Sequence, residues 1–170
     1  VRCGMCLVTC PTGGLQPSLR EAGMGGFWTP ILVPRMGFCN FACNACGENC
    51  PTGAIPALAL EQKQQTVIGV AHIDRDRCLP WSQDTHCIVC EEMCPLPEKA
   101  VELEEYVTTD SFGFEITLLR PTVIEDRCIG CGICEYRCPL DGEAAIRVYS
   151  PEAVPPSAAE GVSISARASG

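Results

Sequence analysis

Fifteen cysteines are the residues of this chain with chemistry to offer, and all of them fall into four short runs that end in Cys-Pro. The runs are Cys3/Cys6/Cys10-Pro11, Cys39/Cys43/Cys46/Cys50-Pro51, Cys78/Cys87/Cys90/Cys94-Pro95 and Cys128/Cys131/Cys134/Cys138-Pro139. The last reads C-x2-C-x2-C-x3-C-P, the spacing that wraps three thiolates around one [4Fe–4S] cluster and sends the fourth to another. The first keeps that spacing with one member absent. Counting back from Cys3, the absent cysteine falls immediately before Val1, so the expectation is about sixteen ligands for four clusters.

Two other uses of so many thiols fit the pattern poorly. A disulfide framework suits a small secreted chain, but disulfide spacings do not repeat a C-x2-C-x3-C-P core. Structural zinc pairs two C-x2-C units across a long spacer, often with histidine. Here each run supplies three or four thiols from one loop, and there are only two histidines. No cysteine is left over as a nucleophile. No serine–histidine–acid set, phosphate-binding glycine loop or dinucleotide fingerprint stands out, and Gly23 to Gly26 lacks the required spacing. The chemistry on offer is one-electron transfer, and the chain reads as an electron carrier with no catalytic residues of its own.

The elements that must position these thiols are short. With 6% aromatic residues, 16 Gly and 14 Pro, the chain has little material for a large apolar core. The clusters are expected to serve as core, and folding to depend on them. The runs lie in an internal repeat: Ile73-Asp74-Arg75-Asp76-Arg77-Cys78 is echoed by Val123-Ile124-Glu125-Asp126-Arg127-Cys128. After each Cys-Pro comes a small apolar pair: Gly14-Leu15, Ala54-Ile55, Ala100-Val101 and Ala145-Ile146. The expected unit is strand, cluster loop, Cys-Pro, strand. Val67 to Asp74 and Phe112 to Leu119 read as returning strands, with a turn around Thr109 to Gly113. Cys134 and Cys138, four apart, share one face of a short helix. Gly130 and Gly132 allow a close backbone approach beside Cys131. The fold class expected is small α+β: tandem or nested bacterial-type two-cluster ferredoxin modules with short hairpins, short helices and much loop.

Two segments exceed a minimal module. Leu15 to Phe38 reads as an irregular loop that covers a cluster, with Phe27 and Trp28 as apolar shields, or meets a partner. Leu79 to His86, an insertion carrying Trp81, Asp84 and His86, is the second candidate for partner contact or shielding. His86 reads as an ordinary loop histidine, since Cys87 completes the ligand count, and His72 as a strand residue. Glu102, Glu104 and Glu105 read as a solvated edge. Ser150 onward, rich in Pro, Ala and Ser, reads as a disordered tail.

Fourth-cysteine exchange allows two pairings: motif one with two and three with four, or one with four and two with three. The expectation adopted is the nested one, because Ala54 to Asp74 looks like a hairpin between motifs two and three. It gives an outer module of 1–14 plus 120–149, an inner module of 15–119 and a tail of 150–170. Cys94 then joins Cys39, Cys43 and Cys46, and Cys50 joins Cys78, Cys87 and Cys90. Cys10 joins Cys128, Cys131 and Cys134, and Cys138 joins Cys3 and Cys6.

Formal net charge is −9, and the lysines are Lys63 and Lys99 alone. With no basic stripe to neutralise phosphates, nucleic-acid binding is disfavoured. A basic redox partner suits the charge. No apolar run approaches the ~18 residues that span a bilayer.

From Cys3 to Val148 the chain resembles the NapG/MauM-type ferredoxin-like proteins, through four motifs in order, the widened third motif and the final Cys128-Ile-Gly-Cys131-Gly-Ile-Cys134. The resemblance implies four [4Fe–4S] clusters and electron relay between a membrane quinol-oxidising protein and a terminal reductase or dehydrogenase. It implies a membrane-associated location on the periplasmic side, with the cytoplasmic face the alternative. Polyferredoxins and the iron–sulfur subunits of molybdoenzymes share this cysteine grammar. The chain could therefore also be the wiring domain of a larger redox enzyme whose catalytic part lies elsewhere, or the soluble end of a NapH-like membrane protein.

Overall fold

A computed structural model describes residues 2–19, 23–109 and 112–150. The chain runs through short elements: α1 (Met5–Thr9), β1 (Leu15–Pro17), a 3-10 turn (Met24–Gly26), β2 (Pro30–Leu32), α2 (Ala45–Glu48), α3 (Leu60–Gln65), β3 (Val70–Ile73), α4 (Leu79–Ser82), α5 (Val89–Glu92), β4 (Val101–Thr109), β5 (Glu115–Val123), α6 (Ile133–Arg137) and β6 (Ile146–Tyr149). This is the small α+β architecture of short helices and hairpins expected for ferredoxin modules. The expected disordered tail, apart from Ser150, lies outside the described residues, as do Asp110 and Ser111 of the expected turn.

Three two-stranded antiparallel sheets form: β1 with β2, β4 with β5, and β3 with β6. In the first, Pro17 faces Pro30. A proline has no N–H to offer, and beyond this pair the arms stay joined by the Ser18 N–H on Thr29 O at 2.8 Å and the Trp28 N–H on Ser18 O at 2.7 Å. In the second, nine residues pair on each side, from Val101 opposite Val123 to Thr109 opposite Glu115. The third joins Val70 to Tyr149 and Ile73 to Ile146, closing the stretch that holds motifs three and four.

That closure corrects the expectation behind the nested modules. Ala54 to Asp74 is not a hairpin; its strand β3 returns to β6, beyond motif four. The hairpins lie between motifs one and two and between motifs three and four. Strands follow the Cys-Pro of motifs one, three and four, but not that of motif two, where Ile55 and Pro56 continue as turn. Pro56 cannot donate to a ladder, and the Ile55 N–H goes to Cys50 Sγ at 3.4 Å.

The described core is small and rich in sulfur. Ala71, Cys90, Ala100, Val101, Cys128, Cys134 and Ile146 form one buried cluster, with Val70, Ile73, Val123 and Val148 packed against it. Alanines let backbone approach closely where a metal group is to be enclosed. Large aliphatic side chains are scarce there, as the composition predicted.

Candidate metal centre

The helices of the cysteine runs carry thiols within them or at their ends. In α1, Cys6 sits within the helix and Cys10 caps its end; in α6, Cys134 and Cys138 do the same. Helix α1 packs on α2, and α5 on α6. The proline after each capping cysteine stops the helix and turns the fourth thiol away from its own run.

The thiols gather as follows. Cys78, Cys87, Cys90 and Cys138 ring one cavity. Cys94, Cys128, Cys131 and Cys134 ring a second, whose wall also includes Cys90. Cys10, Cys39, Cys43 and Cys46 line a third, which Cys131 also borders. Cys3, Cys6 and Cys50 are close enough for their charges to interact. The fourth thiols therefore sit with a neighbouring run, motif one with two and motif three with four. The nested expectation is corrected: Cys10 lies with Cys39 and not with Cys128, and Cys94 with Cys128 and not with Cys39. Cys138 lies with Cys78, and Cys50 with Cys6. Strand pairing decided this, since β3–β6 draws motif four onto motif three.

The donor set fits a cluster better than a single ion. One zinc needs thiolates converging at about 2.3 Å on a common point. Among the described residues, no three His, Cys, Asp or Glu side chains do so. The thiols instead stand around a space, three from one loop and one from the next helix, as a cubic cluster requires.

Electrostatics differ from thiol to thiol. Burial pushes Cys90 up to about 12, aided by repulsion from Cys78 and Cys87. Burial pushes Cys78 and Cys131 up to about 11 and Cys134 well above its ordinary value. These thiols give up protons only to a cation that replaces them, so assembly releases protons. Cys50 goes the other way, down to about 7, held there by the Ile55 N–H and the Thr52 hydroxyl and N–H. Cys10 is pushed up by burial, yet lies below its ordinary value because Thr12 and the N–H groups of Leu15 and Gly14 bond its sulfur. The repeated Cys-Pro-Thr-Gly at 10–13 and 50–53 was a sequence signal for these bonds that the motif reading passed over. Ala71 N–H reaches Cys128 Sγ at 3.4 Å, and Ala100 N–H reaches Cys94 Sγ at 3.5 Å. Such donors stabilise charge on sulfur and tune a cluster's potential.

The other singled-out residues sort plainly. His86 is exposed, and His72, half-buried, faces Tyr149 and stands 3.8 Å from Glu125. Phe27 and Trp28 are 53% and 45% exposed and line none of the three cavities described. Trp81 is half-buried between the guanidiniums of Arg75 and Arg120, at 4.2 and 4.9 Å, and its Nε1 donates to Pro121 O at 3.0 Å. Leu79, from the same insertion, is the residue that borders the Cys78 cavity. Gly130 and Gly132 adopt positive φ, and the backbone they admit is that of Gly69 and the ring of Pro34.

Known proteins carry the same pattern. Residues 85–141 match the 4Fe-4S dicluster domain, which spans motif four and the last three cysteines of motif three. The chain is 36% identical over 158 residues to the methylamine utilization ferredoxin-type protein MauM of Methylorubrum extorquens, covering 89% of this chain and 66% of that protein. It is 34% identical to the ferredoxin-type protein NapG of Haemophilus influenzae, covering 87% of this chain and 52% of that one. To NapG of Escherichia coli it is 35% identical, with 87% and 62% covered. The chain thus spans between about half and two thirds of the length of these relatives. It is thus a relative of the ferredoxin-type proteins NapG and MauM, and it carries a 4Fe-4S dicluster domain on the last two of the cysteine runs described above.

Proposed function

We propose that this chain holds four [4Fe–4S] clusters in a row and relays single electrons between a membrane quinol-oxidising protein and a terminal reductase or dehydrogenase. The ligand sets would be Cys3, Cys6 and Cys50; Cys10, Cys39, Cys43 and Cys46; Cys94, Cys128, Cys131 and Cys134; and Cys78, Cys87, Cys90 and Cys138. Two modules follow, one on motifs one and two and one on motifs three and four. The observation that carries the reading is the sharing of cysteines between neighbouring cavities: Cys131 borders two of them, and so does Cys90. Sites so joined make a row in which each step is short.

When bound, the clusters supply reversible one-electron storage. The chain's own residues do the rest. Ile73, Leu79, Val89 and Ile146 border the Cys78 cavity and exclude water from it. Amide and threonine donors hold the sulfurs of Cys10 and Cys50. The acidic surface, with formal net charge −9, suits a basic partner face. Among the described residues no helix is long and apolar enough to cross a membrane. Association with the membrane would therefore pass through a partner or a segment outside these residues, on the periplasmic side by analogy with the resemblance.

Metal analysis of the anaerobically prepared, full-length protein tests the count. About sixteen iron and sixteen sulfide per chain are expected, and about eight would overturn it. Reduction by quinol-loaded membranes tests the role; clusters that no donor reduces reversibly would exclude a relay.

A further inference from the structure

Pro34 to Cys39 is a short segment along which the two halves meet. Arg35, half-buried, donates from Nη1 to Glu135 O at 3.0 Å and Cys138 O at 3.2 Å, and from Nη2 to Leu140 O at 2.7 Å. Glu135 and Cys138 lie at the C-terminal end of α6 and Leu140 in the turn beyond it, where carbonyls lack intrahelical donors and a cation is favoured; Glu135 O also accepts the Cys138 N–H at 3.3 Å. A guanidinium fork reaches all three at once, which an ammonium does not. Next to it, Pro34 sits against Gly132, where an added Cβ would come within 3.0 Å of the Pro34 ring. Phe38 and Tyr136 rings lie 5.3 Å apart. At the end of the segment, the Cys39 N–H donates to Cys131 O at 2.8 Å. Cys39 and Cys131 belong to neighbouring thiol sets of different halves, and Cys131 also borders the Cys39 cavity.

We propose that this seam is the electronic junction of the molecule, with the Cys39–Cys131 hydrogen bond as its direct link and Arg35 as the positioning residue that sets its length. The role rests on the relay reading. An electron crossing here is lost by the group held on one side and gained by the group held on the other; no bond breaks and no proton moves. Transfer rate falls steeply with separation, so a clamp that keeps one spacing keeps the row continuous. The three carbonyls bracket Cys138, from the last turn of α6 to the turn after it, so the same clamp ties the far thiol set to the junction.

The test uses the loaded, full-length protein. In the wild type, the Cys39 amide should exchange with deuterium at least about tenfold more slowly than the exposed amide of Val67. Arg35→Gln should raise Cys39 exchange about tenfold and weaken the magnetic interaction between reduced clusters across the junction, with iron content unchanged. Arg35→Lys should recover part of both, since it restores the charge but not the fork. Unchanged exchange and unchanged magnetic interaction in Arg35→Gln would overturn the proposal. Should Arg35→Gln fail to hold iron, the wild-type measurement decides: a Cys39 amide that exchanges like Val67 rules the link out, and a protected one supports it. A protected seam in a protein that cannot be reversibly reduced would sink the relay, and the junction role with it, while the interlock itself stood.

Discussion

Cys78, Cys90, Cys128, Cys131 and Cys134 of the second half are buried, and three of them belong to the main core cluster. In the first half Cys6 is buried, Cys3 is exposed, and Cys10, Cys39, Cys43, Cys46 and Cys50 lie between. The same run of cysteines thus works in two environments. The second half has the long β4–β5 hairpin and the β3–β6 closure to wall its thiols in; among the described residues the first has the three-residue strands β1 and β2. The thiol energetics follow. Burial dominates at Cys90 and Cys134, whereas hydrogen bonds dominate at Cys50. A group in the first half should therefore be more accessible to water and oxidants, and more open to tuning by local donors.

Removing iron should produce the largest change, because thiolate ligation stands in for the aliphatic core in both halves. Chelation under reducing conditions should abolish most near-native amide dispersion, with the first half losing iron first. An apo protein that keeps the β3–β6 amide signals would show that the second half folds on side chains alone.

Single ligands come next. Cys134→Ala should lose about four iron and loosen the whole second half, since its thiol lies within the core cluster. Cys46→Ala should also lose about four iron but leave hydrogen exchange in β3 and β6 near wild type. Equal damage in both variants would erase the distinction between the halves.

The two tryptophans sharpen the contrast at smaller magnitude. Trp81→Ala removes a ring between two guanidiniums and a bond to Pro121. Its expected loss is about 2–3 kcal/mol of stability, by denaturant titration. Trp28 sits in the left-handed region at φ 66 and is half-exposed. Trp28→Gly should be neutral or stabilising by up to about 1 kcal/mol, since glycine takes that conformation freely. Slower reduction by a membrane donor in Trp28→Gly at full iron content would mark the first hairpin as a partner surface.

The smallest effect concerns Glu135, buried beside Cys134, whose Oε2 accepts the Val148 N–H at 2.7 Å. Burial raises its pKa, although the Val148 bond, Arg147 and Arg35 oppose the shift. A raised carboxyl favours the folded state most below its unfolded pKa, and that contribution is lost as pH rises through the folded value. Glu135→Gln should keep the bond, change stability at pH 7 by less than about 1 kcal/mol, and remove the fall in stability with rising pH that Glu135 contributes, so the acid limb steepens.

Much of this was legible in the chain. The ligating residue type and its three-plus-one spacing are local: Cys128 to Cys138 must coil around something, whatever else the protein does. The repeat Asp-Arg-Cys announced a strand ending before motifs three and four, and β3 and β5 do end there. The Cys-Pro endings announced where each helix stops. The threonines at 12 and 52 were signalled by the repeated Cys-Pro-Thr-Gly, whereas Arg35 and Glu135 were not legible as site residues, because their partners are backbone atoms far along the chain whose placement depends on the fold.

Which thiols share a site was beyond local spacing. Both pairings satisfy the same motif, and Ala54 to Asp74 has the composition of a hairpin whether or not it closes on itself. Tertiary structure decided it through β3, whose half-buried residues pair with β6 and not with a neighbour in sequence. That pairing places Ala71 against Cys128 and Ile146 beside Cys90 in the core, burying the small apolar residues that flank motifs three and four. Coordination chemistry is written within ten residues, and the chain states it openly. The partnership between runs is set by long-range burial of strands, and a sequence states that only once it is folded.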